Sequence, residues 1–189
     1  MGRVPVLIAL ALVAALVAGC GNKRQPAPVV TTTSQPFGFV PQDIPTQGLT
    51  FDRPQAWRYL PGHAPLLATM TSGLTTIAVW RYPRTEPLPE TESQLNTARD
   101  ALVAAAKARD PSFKVIKAKG TRAAHHPAVV IIADETIAGQ PRRVRSTHVY
   151  GEGAEVVFDA FAPTDVYPKV EDPVFRHVVR SLTLSKPAS

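Results

Sequence analysis

The sequence predicts an α+β domain, an antiparallel β-sheet with helices packed on one face. Runs with the two-residue alternation of strands lie on both sides of one Ala-rich helical segment. Short glycine-containing turns join the later runs, and such turns connect antiparallel strands. A second helical pattern closes the chain. Because an antiparallel sheet must cover its apolar face, we expect both helices to lie on that face.

Periodicity and turn residues indicate which segments in the first half of the chain are strands and which is a helix. Residues 49–54 read as a short strand, and residues 66–71 and 74–82 as an antiparallel pair turning at Ser72-Gly73. In residues 91–108, a Thr followed three positions later by Gln resembles a helix capping box, and leucines and alanines form one apolar stripe. The sequence therefore predicts strands followed by one amphipathic helix.

The second half is predicted to be a strand meander closed by a helix. Glycine turns at 139 and 151–153 separate its last three strands, and Asp172-Pro173 is typical of a helix start. The expected strands cover residues 113–119, 128–137, 142–150 and 154–162.

The first twenty residues have the features of an export signal. Arg3 precedes an uncharged run, residues 4–18, and the run ends in Leu16-Val17-Ala18-Gly19-Cys20. This ending resembles the lipobox of bacterial lipoproteins, which implies cleavage between Gly19 and Cys20 and a lipid on the Cys20 thiol. Two alternatives are a transmembrane anchor, although the run is shorter than the ~20 residues that span a bilayer, and a plain signal peptide with an incidental cysteine.

The segment after Cys20 is predicted to be a tether. Up to Pro36 it is polar, rich in proline and threonine, and without periodicity, so we expect it to stay extended. The predicted organisation is a lipoprotein signal peptide at residues 1–19, a lipidated N-terminus and flexible linker at 20–36, and an α+β domain at 37–189. Since Cys20 is the only cysteine, no disulfide can form within one chain.

The net positive charge of the chain indicates which classes of molecule can bind to it. The chain carries a formal net charge of +6, with a pI near 9.8. Such a surface attracts nucleic acid, anionic lipid or anionic wall polymer, and export removes nucleic acid from this set. The expected partners are membrane lipid through Cys20 and envelope proteins, anionic lipid or wall polymer.

The domain resembles a known family in the order of its motifs. Residues 49–57 resemble the Phe-x-x-Pro-x-x-Trp opening of PsbP-like domains, and the middle helix, the meander and Phe175 to Leu182 follow the family's layout. LpqN-type lipoproteins pair such a domain with a lipobox. The resemblance implies an antiparallel sheet flanked by helices and an accessory, binding or scaffold role. It carries over no catalytic residues.

Three groups of side chains are candidates for a binding site. Arg142, Arg143 and Arg145 could grip a phosphate or carboxylate, with Arg143 and Arg145 on one strand face. The pairs Trp57/Tyr59 and Trp80/Tyr82 could line a groove or pack in the core. The adjacent His125 and His126 would point to opposite faces of a strand, and Pro127 favours a loop, so we predict no metal site.

The sequence contains no motif for nucleotide binding, zinc-protease or serine-hydrolase chemistry, and the single carboxylate Asp159 has no visible partner. We therefore expect a membrane-tethered, non-catalytic accessory or binding module without a cofactor. Two alternatives stay open: a carrier of lipid or another hydrophobic ligand, and an unrecognised hydrolase.

Overall fold

The computed structural model describes residues 32–188. Within these residues, five strands and one short helical turn precede a long helix, α1, and five strands and three short helical elements follow it. The strands are β1 Phe39–Ile44, β2 Leu49–Pro54, β3 Arg58–Pro61, β4 Leu66–Ser72, β5 Thr75–Pro83, β6 Lys114–Ala123, β7 His126–Ile137, β8 Gln140–Gly151, β9 Ala154–Ala162 and β10 Thr183–Leu184. The helical elements are a 3-10 turn Pro45–Gln47, α1 Glu92–Arg109, α2 Tyr167–Val170, a π-helical turn Glu171–Arg176 and α3 His177–Arg180.

The strands form two antiparallel sheets. The large sheet has seven strands in the order β3-β4-β5-β9-β8-β7-β6, and the small sheet has three in the order β1-β2-β10. The predicted antiparallel α+β class is therefore confirmed. Residues 39–44, for which the sequence predicts no strand, form β1. The sequence also does not predict that β2 belongs to a second, smaller sheet.

The two faces of the large sheet are covered by different elements. The face that carries Ile77 and Phe158, here the core face, packs against the small sheet and the helical residues 167–180. Helix α1 packs on the opposite face, here the α1 face, through Leu95 against Val129 and Ile131. The expectation that both helices cover one face is wrong. Residues 128–131 are all buried, and a strand that is apolar on both sides needs a cover on each.

Helix α1 begins as the sequence predicts. The Thr91 hydroxyl accepts a hydrogen bond from the Gln94 backbone N–H at 3.3 Å. In return, the Gln94 side-chain oxygen accepts one from the Thr91 N–H at 3.0 Å. Across from the helix, a Cβ on Gly120 of β6 would lie 2.9 Å from the Leu95 Cβ. The capping box fixes the first turn, and Gly120 lets α1 approach the sheet closely.

The C-terminal helical stretch begins earlier than predicted. Its first turn starts at Tyr167, with Pro168 in an N-terminal position, whereas Asp172 lies inside the π-helical turn. Tyr167 and Val170 are both buried in the core. Burial of these apolar residues against the sheet therefore starts the helical stretch before Asp172-Pro173, the pair that the sequence predicts as its start.

Residues assigned to the flexible linker contact the domain. The Thr33 hydroxyl lies 2.6 Å from that of Thr75 on β5, and the indole N–H of Trp57 donates to the Ser34 carbonyl at 3.0 Å. Gln35 donates to the Lys169 carbonyl at 3.0 Å. The folded part thus extends at least to Thr33. No helix in residues 32–188 combines the length and the apolar character needed to cross a membrane.

Candidate functional site

A cleft opens on the α1 face between the C-terminal end of α1 and strands β5, β7, β8 and β9. It encloses about 250 Å³. Apolar side chains including Phe113, Val157 and Phe161 form one part of its lining. Polar groups form the rest, among them Ser146, His148, Asp159, Glu135, Arg109 and Tyr82. We call this the α1-face cleft.

Strand register brings the polar groups of the cleft together. Ser146 and His148 are two residues apart on β8, so both project from the α1 face. Ser146 is opposite Asp159 on β9, and Glu155 lies on the same face of that strand. Cross-strand neighbours in antiparallel sheets lie close enough for their side chains to interact.

These side chains form one continuous hydrogen-bonded chain. The Ser146 hydroxyl donates to Asp159 Oδ1 at 2.6 Å and lies 3.0 Å from His148 Nε2. His148 Nδ1 lies 2.6 Å from Glu155 Oε1, and Arg84 donates to the other carboxylate oxygen of Glu155. We call this set the polar chain: Arg84, Glu155, His148, Ser146 and Asp159.

The charge on Glu155 is stabilised by its neighbours. The side chain is almost fully buried, with 4% of its surface exposed. Burial by itself raises the pKa of Glu155, but hydrogen bonds from His148 and Arg84 outweigh it, and the net pKa lies below the usual value. The same hydrogen bond raises the pKa of Arg84. Glu155 is therefore a buried carboxylate that depends on two partners.

The Ser146 hydroxyl has two possible acceptors in the polar chain. Its single proton can be donated to Asp159 Oδ1 at 2.6 Å or to His148 Nε2 at 3.0 Å. If Ser146 donates to His148, Asp159 loses this hydrogen bond.

The mouth of the cleft holds a carboxyl and a phenol with altered acidity. Burial raises the pKa of Glu135; Arg109 opposes the shift, and Asp110 and Asp159 add to it. Burial also raises the pKa of Tyr82, assisted by Asp159 and Glu155. Both groups are therefore biased toward protonated forms, which can donate hydrogen bonds to a ligand.

The three predicted arginines do not form one cluster. Arg143 and Arg145 share the core face, as their spacing predicts, but Arg142 projects from the α1 face. Arg143 pairs with Asp134 at 2.8 Å, and Arg145 with Glu171 at 2.9 Å. A single anion site built from all three is excluded by the alternation of side chains along β8. Gly19 and Cys20 lie outside the described residues.

The two aromatic pairs, Trp57/Tyr59 and Trp80/Tyr82, do not line one common groove. Trp57 is buried in the core, whereas Trp80 and Tyr82 share the α1 face with ring centroids 6.4 Å apart. Of these, Tyr82 lines the α1-face cleft. His125 occupies the tight β6–β7 turn with a φ of 67°, and His126 opens β7. The predicted loop is therefore a short hairpin turn.

The sequence does not predict the polar chain. Its pattern shows no partner for Asp159 and does not single out Ser146, His148 or Glu155. A weak signal was present, since Glu155 and Asp159 interrupt the alternation of an apolar strand. Charged residues are rarely buried without partners, so their positions pointed to a polar neighbour.

Comparison with known proteins identifies the fold. No family model and no curated protein matches this sequence. The solution structure of cyanobacterial PsbP from Synechocystis superposes with a TM-score of 0.60 at 12% identity, covering 78% of this chain and 92% of that one. The fold is PsbP-like.

Two further structures share this PsbP-like fold. LpqN of Mycobacterium tuberculosis, described as involved in cell envelope biogenesis, has a TM-score of 0.54 at 17% identity, covering 78% of this chain and 91% of LpqN. The Ran-binding protein Mog1p of Saccharomyces cerevisiae has a TM-score of 0.53 at 7% identity, covering 79% and 96%. At these identities the likeness concerns the fold alone.

Proposed function

We propose that this protein is a non-catalytic binding module of the bacterial cell envelope, tethered by a lipid on Cys20. The observation that carries the binding role is the α1-face cleft, whose lining combines apolar side chains with three members of the polar chain: Ser146, His148 and Asp159. Concave sites with apolar walls and a few fixed polar groups are typical of ligand sites. The PsbP-like fold and the involvement of LpqN in cell envelope biogenesis support the accessory role.

The cleft favours a small ligand with an apolar body and a hydroxyl or amino group. Phe113, Val157 and Phe161 would contact the body, and Asp159 can accept hydrogen bonds from the polar end. A volume of about 250 Å³ is below the range of roughly 300–1,000 Å³ found for drug-sized ligands. This size argues against the alternative of a carrier that encloses a whole diacyl lipid.

The tether is tested by mass spectrometry and membrane fractionation of the native protein and of a Cys20→Ala variant. We expect a mature mass that begins at Cys20 and includes acyl chains, with the protein in the membrane fraction. The variant should lose the acyl mass and remain unprocessed, because the thioether that carries the lipid cannot form. An unacylated native protein would remove the lipoprotein assignment.

Ligand binding in the cleft is tested with N-phenyl-1-naphthylamine, a neutral aromatic probe with one N–H donor. We expect saturable fluorescence enhancement by the full chain, weakened at least about fivefold by Phe161→Ala, since a lost phenyl contact is worth about 1 kcal/mol or more. Phe37→Ala is the matched control, because Phe37 is 91% exposed. Equal binding by both variants would place the probe outside the cleft.

A serine hydrolase is the second candidate, favoured by one observation. Ser146, His148 and Glu155 follow the order nucleophile, base and orienting carboxylate, at 3.0 and 2.6 Å. Against it, Ser146 donates to Asp159, and its strand is paired on both sides, so nearby backbone N–H groups serve the sheet. Hydrolysis of p-nitrophenyl acetate that disappears in Ser146→Ala would establish this candidate and overturn the non-catalytic proposal.

A further inference from the structure

A second pocket lies on the core face, on the opposite side of the sheet from the α1-face cleft. It encloses about 200 Å³ between strands β6 to β8 and the C-terminal helical residues. Five of its ten lining residues are cationic, and none is acidic. We call it the basic pocket; its cations are Lys119, Arg122, Arg145, Arg176 and Arg180.

Two buried polar atoms in the basic pocket have no partner among the described residues. The Thr147 side chain is completely buried, yet its hydroxyl makes no hydrogen bond within residues 32–188. The Nε of Arg145 is also buried and unpaired there, although its Nη1 binds Glu171 at 2.9 Å. Buried polar groups in proteins are nearly always satisfied, so the unpaired Thr147 hydroxyl indicates a missing partner in the pocket.

The nearby acids leave the pocket positive. Glu171 pairs with Arg145, while Asp172 lies 3.1 Å from Arg176 and 3.3 Å from Arg180. Neither acid lines the pocket. With two carboxylates against five cations, the pocket keeps an excess of positive charge in a recess, where the surrounding protein weakens solvent screening.

The placement of the donors favours a phosphate over a carboxylate. Donor-bearing residues line the pocket from three elements: Lys119 on β6, Arg145 and Thr147 on β8, and two arginines on the helical stretch. A planar carboxylate is matched by one guanidinium fork, whereas the oxygens of a tetrahedral phosphate accept from several directions. The pocket, at about 200 Å³, has room for such a group.

We propose that the basic pocket binds a phosphate group, carried either by a phospholipid headgroup or by a small water-soluble phosphate ester. Thr147 and Arg145 Nε fill their vacant hydrogen bonds with its oxygens, and Lys119 closes the pocket at the sheet edge. The site goes beyond the proposed function, because it uses neither the α1-face cleft nor Cys20.

The test is isothermal titration calorimetry of the full chain with inorganic phosphate at constant ionic strength. Thr147→Val keeps the side-chain shape and removes the unpaired hydroxyl, so we expect phosphate affinity at least about fivefold lower, as for other hydrogen bonds to charged groups. Its melting temperature should be unchanged or higher. Lys119→Gln, on the exposed edge strand, should weaken binding by a similar factor without affecting folding.

Lys117→Gln is the matched control. Lys117 lies two residues from Lys119 on the same strand and face, is exposed, and does not line the pocket. We expect phosphate binding within about twofold of the original chain, since a charge outside the recess is screened by salt. Equal binding by all variants, or equal losses for Lys117→Gln and Lys119→Gln, would overturn the proposal.

The same titration distinguishes the two sources of phosphate. Glycerol 3-phosphate stands for the soluble ester, and dihexanoylphosphatidylglycerol below its micelle concentration stands for the headgroup, with the zwitterionic dihexanoylphosphatidylcholine as a lipid that carries a phosphate but no net charge. A Thr147→Val effect confined to glycerol 3-phosphate supports the soluble source, and one confined to the phosphatidylglycerol supports the lipid source. Insensitivity of both ligands to Thr147→Val overturns the site.

Discussion

Replacing Glu155 by glutamine is expected to lower the free energy of unfolding by about 3 kcal/mol. The side chain is 4% exposed and holds two partners, His148 at 2.6 Å and Arg84. Glutamine keeps only one acceptor oxygen, so either Arg84 or the imidazole of His148 meets an NH2 group instead, and Arg84 loses its buried counter-charge. We expect the low end of the usual range, because Arg84 is 39% exposed and can turn toward solvent. Urea denaturation gives the value.

Glu86→Gln provides a matched control for this change. Glu86 pairs with the same Arg84, at 3.1 Å, but 60% of its side chain is exposed. An exposed ion pair contributes little to stability, so this variant should unfold at nearly the same urea concentration as the original protein. If Glu155→Gln and Glu86→Gln lower the free energy of unfolding equally, the burial of Glu155 does not increase the contribution of its charge to stability.

Acid sensitivity provides a second measurement on Glu155→Gln. The folded-state pKa of Glu155 lies below the usual value of 4.5. Its stabilising contribution is therefore fully present above pH 4.5 and is lost as the pH falls through the lower, folded-state pKa. The stability difference between the original protein and Glu155→Gln should be constant near neutral pH and shrink below 4.5. If the stability difference stayed constant down to strongly acidic pH, the stabilisation would not come from the charge on Glu155.

Local signals in the sequence predicted individual elements well. Strand β9, Ala154–Ala162, and the capping box at Thr91 depend on neighbouring residues alone, and both are present in the structure. Which face each helix covers depends on distant pairings. Leu95 packs on the side opposite Phe158, and no periodicity within α1 states which side of the sheet it meets.

The polar chain illustrates the same limit at the level of a site. Ser146 meets Asp159 because β8 and β9 pair in one register, and a shift of one residue would move Asp159 to the other face. The separation of Arg142 from Arg145, in contrast, follows from strand alternation and was available from the sequence. The lining of the basic pocket includes Arg145, which the sequence singled out, but its cations from β6 and the helical stretch come together only through tertiary contacts.

The second large effect is expected from Phe158→Ala, because the core face supplies most of the stability. Phe158 is 1% exposed and meets Phe51 of the small sheet edge-on, with ring centroids 5.8 Å apart. Its truncation should cost about 3–5 kcal/mol through lost burial and the cavity left between the sheets. Thermal or urea denaturation measures the loss, and a value below about 1 kcal/mol would show that the two sheets can close the gap.

Phe161→Ala, three positions along the same strand, separates the roles of the two faces. Phe161 is only partly buried and projects into the α1-face cleft, where no second sheet packs on it. We expect a loss of about 1 kcal/mol in stability, together with the weaker probe binding described above. If Phe161→Ala destabilised the protein as much as Phe158→Ala, the cleft would be part of the structural core. A small loss would leave that face of β9 free to serve a ligand, because the opposite face holds the domain together.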